Sequence, residues 1–281
     1  MSIENDLVNI SKDRTIEKES FKSLFGLTLE VEKEIIFSIE NNKKKRLISL
    51  FQLLHPADQA DMLERLSAKK LESCLQLLGK ELDSETLVYL DDEVQDDVIE
   101  KIGAKGLVRA LPKLDTDDAV EILEDLNENE RNVIIKKLPK TERILVEEAF
   151  TFPENSAGRL MQRDFLAFPE FWTVGQTIDH MRKNIYAEEK IFYSIFITDP
   201  KQRILGELSL AKLLSNYRSV RLKDIMQSEF QSVNVSKDQE EIALLFQQYG
   251  LVNLPVIDNQ KRVLGVITVD DIVDVINEEA E

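Results

Sequence analysis

The groups in this sequence with the widest chemical reach are carboxylates, and their spacing says what they can do. Asp117 and Glu121 stand four residues apart in Asp-Asp-Ala-Val-Glu-Ile-Leu, a helical pattern that puts both on one face. Asp271 and Asp274 share a face near the C-terminus in the same way. Like charges so placed repel, and a hard cation with oxygen ligands relieves the repulsion. Mg²⁺ keeps several of its waters and needs only one or two carboxylates, so no compact ligand motif is required. The charge is also unevenly spread. Residues 83–128 hold 15 acidic and 4 basic residues, a net of −11 out of −17 for the whole chain. After Arg262 come Asp270, Asp271, Asp274, Glu278, Glu279 and Glu281, with no basic residue among them. Two acidic stretches on different domains repel unless cations lie between them.

Other chemistries find little support. His55 and His180 are the only histidines, 125 positions apart, and Cys74 is the only cysteine, so no internal disulfide forms and a reducing compartment is expected. There is no phosphate-cradling glycine loop, nucleophile elbow or metal-binding histidine cluster, so an enzyme is not expected. The net charge of −17 repels nucleic acid and anionic lipid. Residues 1–20 lack the apolar stretch of a signal peptide. The longest apolar-rich run, Ile191–Thr198, has 8 residues where a membrane helix needs about 20, so this chain is not expected to insert into a membrane.

Two different rhythms must position these groups. Apolar residues recur every 12 positions at Leu54, Leu66, Leu78, Leu90, Ile102, Leu114, Leu126, Leu138 and Phe150. Such a period suits short helices joined by tight turns, stacked so that each buries its face on its neighbours. Ser67, Ser84, Asp115 and Thr141 are the expected N-caps, and His55-Pro56 opens a helical unit. Residues 1–53 predict one or two longer helices broken at Asn41–Arg46.

After Pro153, β-rich runs alternate with helical ones. Strands are expected at Phe165–Phe168, Phe192–Thr198, Ile204–Ser209, Ser232–Val235, Leu254–Ile257 and Val263–Thr268. Helices are expected at Val174–Asn184, Ala211–Asn216, Gln239–Gln248 and Asp270–Asn277, with His180 partly buried. This half is duplicated. Leu160-Met161-Gln162 matches Ile225-Met226-Gln227, and Asp199–Gly206 matches Asp258–Gly265, so the first copy carries six extra residues within Met181–Ser194. The expected fold is an all-α superhelical stack of short helices followed by an α+β tandem pair. Its boundaries are 1–152 for the acidic helical domain, 153–217 for the first copy and 218–281 for the second.

The run from Leu254 through Gly265 to Thr268-Val-Asp-Asp271 resembles a CBS (cystathionine-β-synthase-type) domain, in two copies. The resemblance implies that Thr268 and Asp271 hold the ribose of ATP or another adenine nucleotide. The first copy departs from the pattern, with Ser209 and Lys212 at those positions. From about residue 50 onward the chain resembles the cytosolic part of the MgtE family of magnesium channels and transporters, Asn155-Ser-Ala-Gly-Arg-Leu-Met161 included. That resemblance implies Mg²⁺ sites between the helical domain and the CBS pair. By motif they fall on Glu85, Asp117, Glu121, Glu240, Asp271 and Glu279, with Gly250 where the family has an acid near Glu240.

It further implies a homodimer formed through the CBS pairs, a membrane domain elsewhere in the full-length chain, and a place on the cytoplasmic face of the cell membrane. At high Mg²⁺ the ions bridge the domains, and at low Mg²⁺ repulsion parts them. The alternatives are a stand-alone adenine-nucleotide sensor acting on a partner protein and a purely structural dimerisation module.

Overall fold

A computed structural model describes residues 26–183 and 192–280, without the side chains of Asp274 and residues 277–280. Most of the expected six-residue insertion lies outside the described residues, as do residues 1–25. The chain divides into two compact units, one ending at Lys113 and the other running from Leu114 to Glu281.

The first unit is helical: α1 (Leu29–Glu40), α2 (Lys44–Phe51), α3 (Pro56–Glu64), α4 (Ala68–Leu78) and α5 (Asp92–Ala110). The 12-residue beat falls at helix ends. Leu54 and Leu66 follow α2 and α3, Leu78 closes α4, and Leu90 precedes α5. Ile102 precedes Gly103, whose φ of 60° and ψ of 179° break α5 internally, a conformation open to glycine alone. His55 caps α3 as expected, its Nδ1 accepting from the Ala57 amide at 3.3 Å, with Pro56 in the first turn. Ile35, Leu47, Met62, Leu63 and Cys74 are fully buried. Burial raises the Cys74 thiol to about 12, which keeps it inert.

A buried amide ties the connections together. Gln59 donates to the Phe51 carbonyl at 3.1 Å and accepts from the Thr86 hydroxyl at 2.9 Å. The Glu85–Leu87 turn, and so Glu85, is held by that bond.

The second unit opens with α6 (Thr116–Glu124), α7 (Glu128–Ile135) and α8 (Lys140–Ala149). Asp115 takes the N-cap position of α6, as expected. Thr141 does not cap α8. Pro139, with φ −54° and ψ 153°, supplies the extended entry, so the helix starts one residue before Thr141. The short α9 (Ala157–Leu160) then leads into the duplicated half.

The first copy comprises β1 (Ala167–Pro169), α10 (Val174–Lys183), β2 (Ser194–Thr198), β3 (Ile204–Ser209) and α11 (Leu210–Leu214). The second comprises β4 (Val233–Asn234), α12 (Gln239–Tyr249), β5 (Asn253–Ile257), β6 (Val263–Thr268) and α13 (Val269–Ala280). Each forms a three-stranded sheet whose middle strand pairs parallel to the first and antiparallel to the third. The sheets meet through Phe196, Ile204 and Val266. His180 is exposed rather than partly buried, and it packs edge-on against Phe168 and Trp172.

The duplication is also a crossing. Gln162 and Val266 exchange backbone hydrogen bonds of 2.8 and 3.0 Å, and Gln227 and Glu207 exchange bonds of 2.8 and 3.0 Å. Each copy thus lays its Met-Gln segment on the third strand of the other. The approach is close enough that a Cβ on Gly265 would sit 2.6 Å from the Gln162 carbonyl oxygen.

Candidate functional site

The acidic residues gather where α6 meets the start of α13. The linker that brings them there is well anchored. Ala157 and Gly158 donate backbone bonds to the carbonyls of Lys237 (2.7 Å) and Val235 (2.8 Å), which seats α9 on the second copy. Arg159 then ties α9 to α6 by an ion pair with Glu124. Its Nε donates to the Phe152 carbonyl at 3.0 Å, and its guanidinium lies 4.7 Å from the Phe150 ring centre. Truncating Arg159→Ala removes all three contacts and is expected to cost about 1–2 kcal/mol, read as a lower urea midpoint. An unchanged midpoint would mean that the linker is held without it.

So positioned, Asp117 is buried, with 7% of its surface exposed, and its Oδ1 has no hydrogen-bond partner. Burial, reinforced by the charges of Asp271, Asp118 and Asp115, pushes its carboxyl well above the usual range. Asp118 is raised to about 8, by burial first and then by Asp115, Asp271, Glu121 and Asp270. Asp271 is raised to about 6, chiefly by burial, although bonds from Thr268 and Gln162 oppose the shift.

These carboxylates repel one another across the join of helix and CBS copy. Such groups either hold protons or hold a cation. Asp117 Oδ1 is the buried acceptor of this cluster that lacks a partner. Among the described residues no three carboxylate, imidazole or thiol groups converge as a ready-made coordination shell.

The sequence-derived residues divide. Asp117 and Asp271 meet in this cluster, and Glu121 enters it through its charge on Asp118, although Glu121 itself is exposed. Glu85 is exposed on its turn in the first unit, and its amide donates to Asp83 at 3.3 Å. Glu240 is exposed in the first turn of α12, its amide bonded to Asp238 at 3.0 Å. The side chain of Glu279 lies outside the described ones. Sequence reasoning missed Asp115 and Asp118, although both stand within one turn of Asp117.

Thr268 and Asp271 form the second constellation. The Thr268 amide and hydroxyl donate to Asp271 Oδ2 at 2.9 and 2.7 Å. In the first copy the corresponding bond is reversed, with the Lys212 amide donating to Ser209 Oγ at 3.2 Å, so that copy has no carboxylate there. A cleft between the copies is lined by Gln162, Phe165, Tyr193, Asn253 and Thr268, with a volume of about 30 Å³.

Helices in series, then two such sheets, the second followed by a Thr-x-x-Asp turn, define a helical N domain joined to a CBS-domain pair. Residues 54–155 match the MgtE intracellular N domain, and residues 222–278 match the CBS domain. The magnesium transporter MgtE of Thermus thermophilus is 30% identical over 247 residues, covering 86% of this chain and 54% of that protein. MgtE of Bacillus subtilis is 27% identical over 247 residues, covering 88% and 54%.

Two solved structures are similar throughout. The soluble part of a magnesium transporter aligns with TM-score 0.78 at 26% identity, over 90% of this chain and 99% of that one. The cytosolic domain of the Mg²⁺ channel MgtE in complex with ATP aligns with TM-score 0.79 at 28% identity, over 87% and 99%. The chain belongs to the MgtE family and corresponds to its cytosolic region. It spans about half the length of the curated relatives it matches. Among the described residues no helix is long and apolar enough to cross a membrane.

Proposed function

We propose that this chain is the Mg²⁺-sensing regulatory region of a magnesium transporter or channel, on the cytoplasmic face of the cell membrane. The observation that carries the reading is the unpartnered, buried Asp117 Oδ1 among Asp115, Asp118, Asp270 and Asp271. When Mg²⁺ is scarce, ionising these groups sets α6 against the second CBS copy. When it is plentiful, Asp117, Asp118 and Asp271 hold the ion and the two stay together. The ion shifts the population by its differential affinity for the closed state, and a membrane domain of the same full-length chain would read that shift. Glu121, Glu85, Glu240 and Glu279 are candidates for further ions. The CBS pairs would join two chains as a homodimer, and no catalytic step is assigned to any residue.

The test is small-angle scattering across a Mg²⁺ titration, with ionic strength matched in NaCl. Compaction at millimolar Mg²⁺ is expected, and the double variant Asp271→Ala/Glu121→Ala should lose most of it. Equal compaction in that variant, or in NaCl alone, would sink the bridging mechanism. A second reading, an adenine-nucleotide sensor, is favoured by the Thr268–Asp271 pair and by the ATP held by the similar cytosolic domain. The two uses would be coupled, since Asp271 belongs to each constellation.

A further inference from the structure

Gln162 occupies the place where the nucleotide reading puts a ribose. Its backbone is pinned to Val266 by two hydrogen bonds, so its side chain enters the cleft from the opposite copy. There Nε2 stands 3.4 Å from Thr268 Oγ1 and 3.4 Å from Asp271 Oδ1. The Thr268 hydroxyl accepts from Gln162 and donates to Asp271 at 2.7 Å, which uses its one donor and one of its two lone pairs. The two amide hydrogens of Gln162 therefore do what two vicinal hydroxyls would do, reaching the same threonine and the same carboxylate. On the far side Asn253 Nδ2 donates to Ser194 Oγ at 2.6 Å, across the same cleft. The remaining space, about 30 Å³, is about that of one water, far below the roughly 300 Å³ or more of a small-molecule pocket.

The duplication supplies an internal comparison. Gln227 holds the equivalent position in the other copy, with the same backbone bonds to the crossing strand. Facing Ser209 and Lys212 instead of Thr268 and Asp271, it turns away, and its Nε2 donates to the Glu229 carbonyl at 2.7 Å. Two identical residues on equivalent backbones thus take different partners, and the Thr–Asp pair accounts for the difference.

We propose that Gln162 is an intramolecular stand-in for ribose, which closes the cleft and must withdraw before an adenine nucleotide binds at Thr268 and Asp271. This rests on the nucleotide reading given above. Gln162 is then the residue that sets how tightly the chain takes nucleotide, through the competition it offers. Its bonds are long, so the expected competition is modest, a factor of about 5 in affinity.

The test is calorimetric titration of the whole chain with ATP, in parallel with Gln162→Ala, Gln227→Ala and Asp271→Asn, each checked for native circular dichroism. Gln162→Ala should bind about 5-fold tighter than wild type, while Gln227→Ala is unchanged. If Gln162→Ala binds no tighter while Asp271→Asn loses binding, the nucleotide reading stands and the stand-in is refuted. If neither wild type nor Gln162→Ala binds ATP, both fall. Equal tightening by Gln227→Ala would also refute the specific role, since that side chain does not reach the pair.

Discussion

In metal-free buffer the melting temperature of this chain falls as pH rises from about 5 to about 9, and millimolar Mg²⁺ removes most of the fall. The sign follows from the raised carboxyls. A carboxyl whose folded pKa lies above its unfolded value binds more protons in the folded state, so stability is lost as pH climbs toward the folded value. Asp271 at about 6 and Asp118 at about 8 set the window, and Asp117 is raised as well. Asp179 is held below the usual range by its bond from Arg218, and Asp199 and Asp258 by backbone and arginine hydrogen bonds that outweigh burial. They act only in acid and do not mask the effect.

The expected loss is about 2–4 kcal/mol, or roughly 5–15 °C, because the groups are coupled and share the penalty. Asp117→Asn removes one member of the set. It should flatten the pH profile and reduce the stabilisation by Mg²⁺, while leaving the protein at pH 5 nearly as stable as wild type. Differential scanning calorimetry at several pH values, with EDTA or Mg²⁺, measures both. A flat profile in EDTA would mean that these carboxyls are solvated and carry no repulsion, and the proposed sensor would lose its driving force.

The second large effect comes from the crossing of the two CBS copies. Gly265→Ala places a methyl 2.6 Å from the Gln162 carbonyl oxygen and 2.8 Å from Met161 Sδ. Met161 is buried in the core of the second copy and can move its sulfur, but the carbonyl belongs to a backbone pair with Val266 and cannot yield without breaking it. Overpacking of this kind costs about 1–3 kcal/mol, or roughly 3–10 °C. Gly206→Ala should act in the same direction, since its added methyl meets the Gln227 carbonyl at 2.7 Å. Urea melts of both variants read the effect. A wild-type midpoint for Gly265→Ala would mean that the segments do not cross so closely. The same variant should also unseat Gln162, so its nucleotide affinity ought to follow that of Gln162→Ala.

Much of this architecture was legible beforehand. The strands expected at Ile204–Ser209 and Val263–Thr268 occur with those bounds, because each runs from the turn that Asp199 or Asp258 closes to the residue before the next helix. The 12-residue beat fell mostly at the ends of helices, since a period of one short helix plus its turn returns an apolar residue to each junction. Thr141 misled because a proline one residue before the helix can supply the entry that a hydroxyl cap otherwise provides. The exposure of His180 was not legible, since helical spacing cannot say how wide the buried stripe of α10 is.

The order of elements, the duplication, Lys212 in place of a carboxylate in the first copy, and the acidic face of Asp117 and Glu121 can all be read from residue order. Those features are local, written in spacings of two, four and twelve residues. Packing between distant segments set Asp117 inside while Glu121, four residues on, stays exposed. It also brought Asp117 and Asp118 to Asp271 from a remote part of the chain, and carried Gln162 to Asp271 across 109 residues. Periodicity names the face of an element, whereas burial, the shift of a carboxyl and the filling of a cleft depend on what is packed opposite that face.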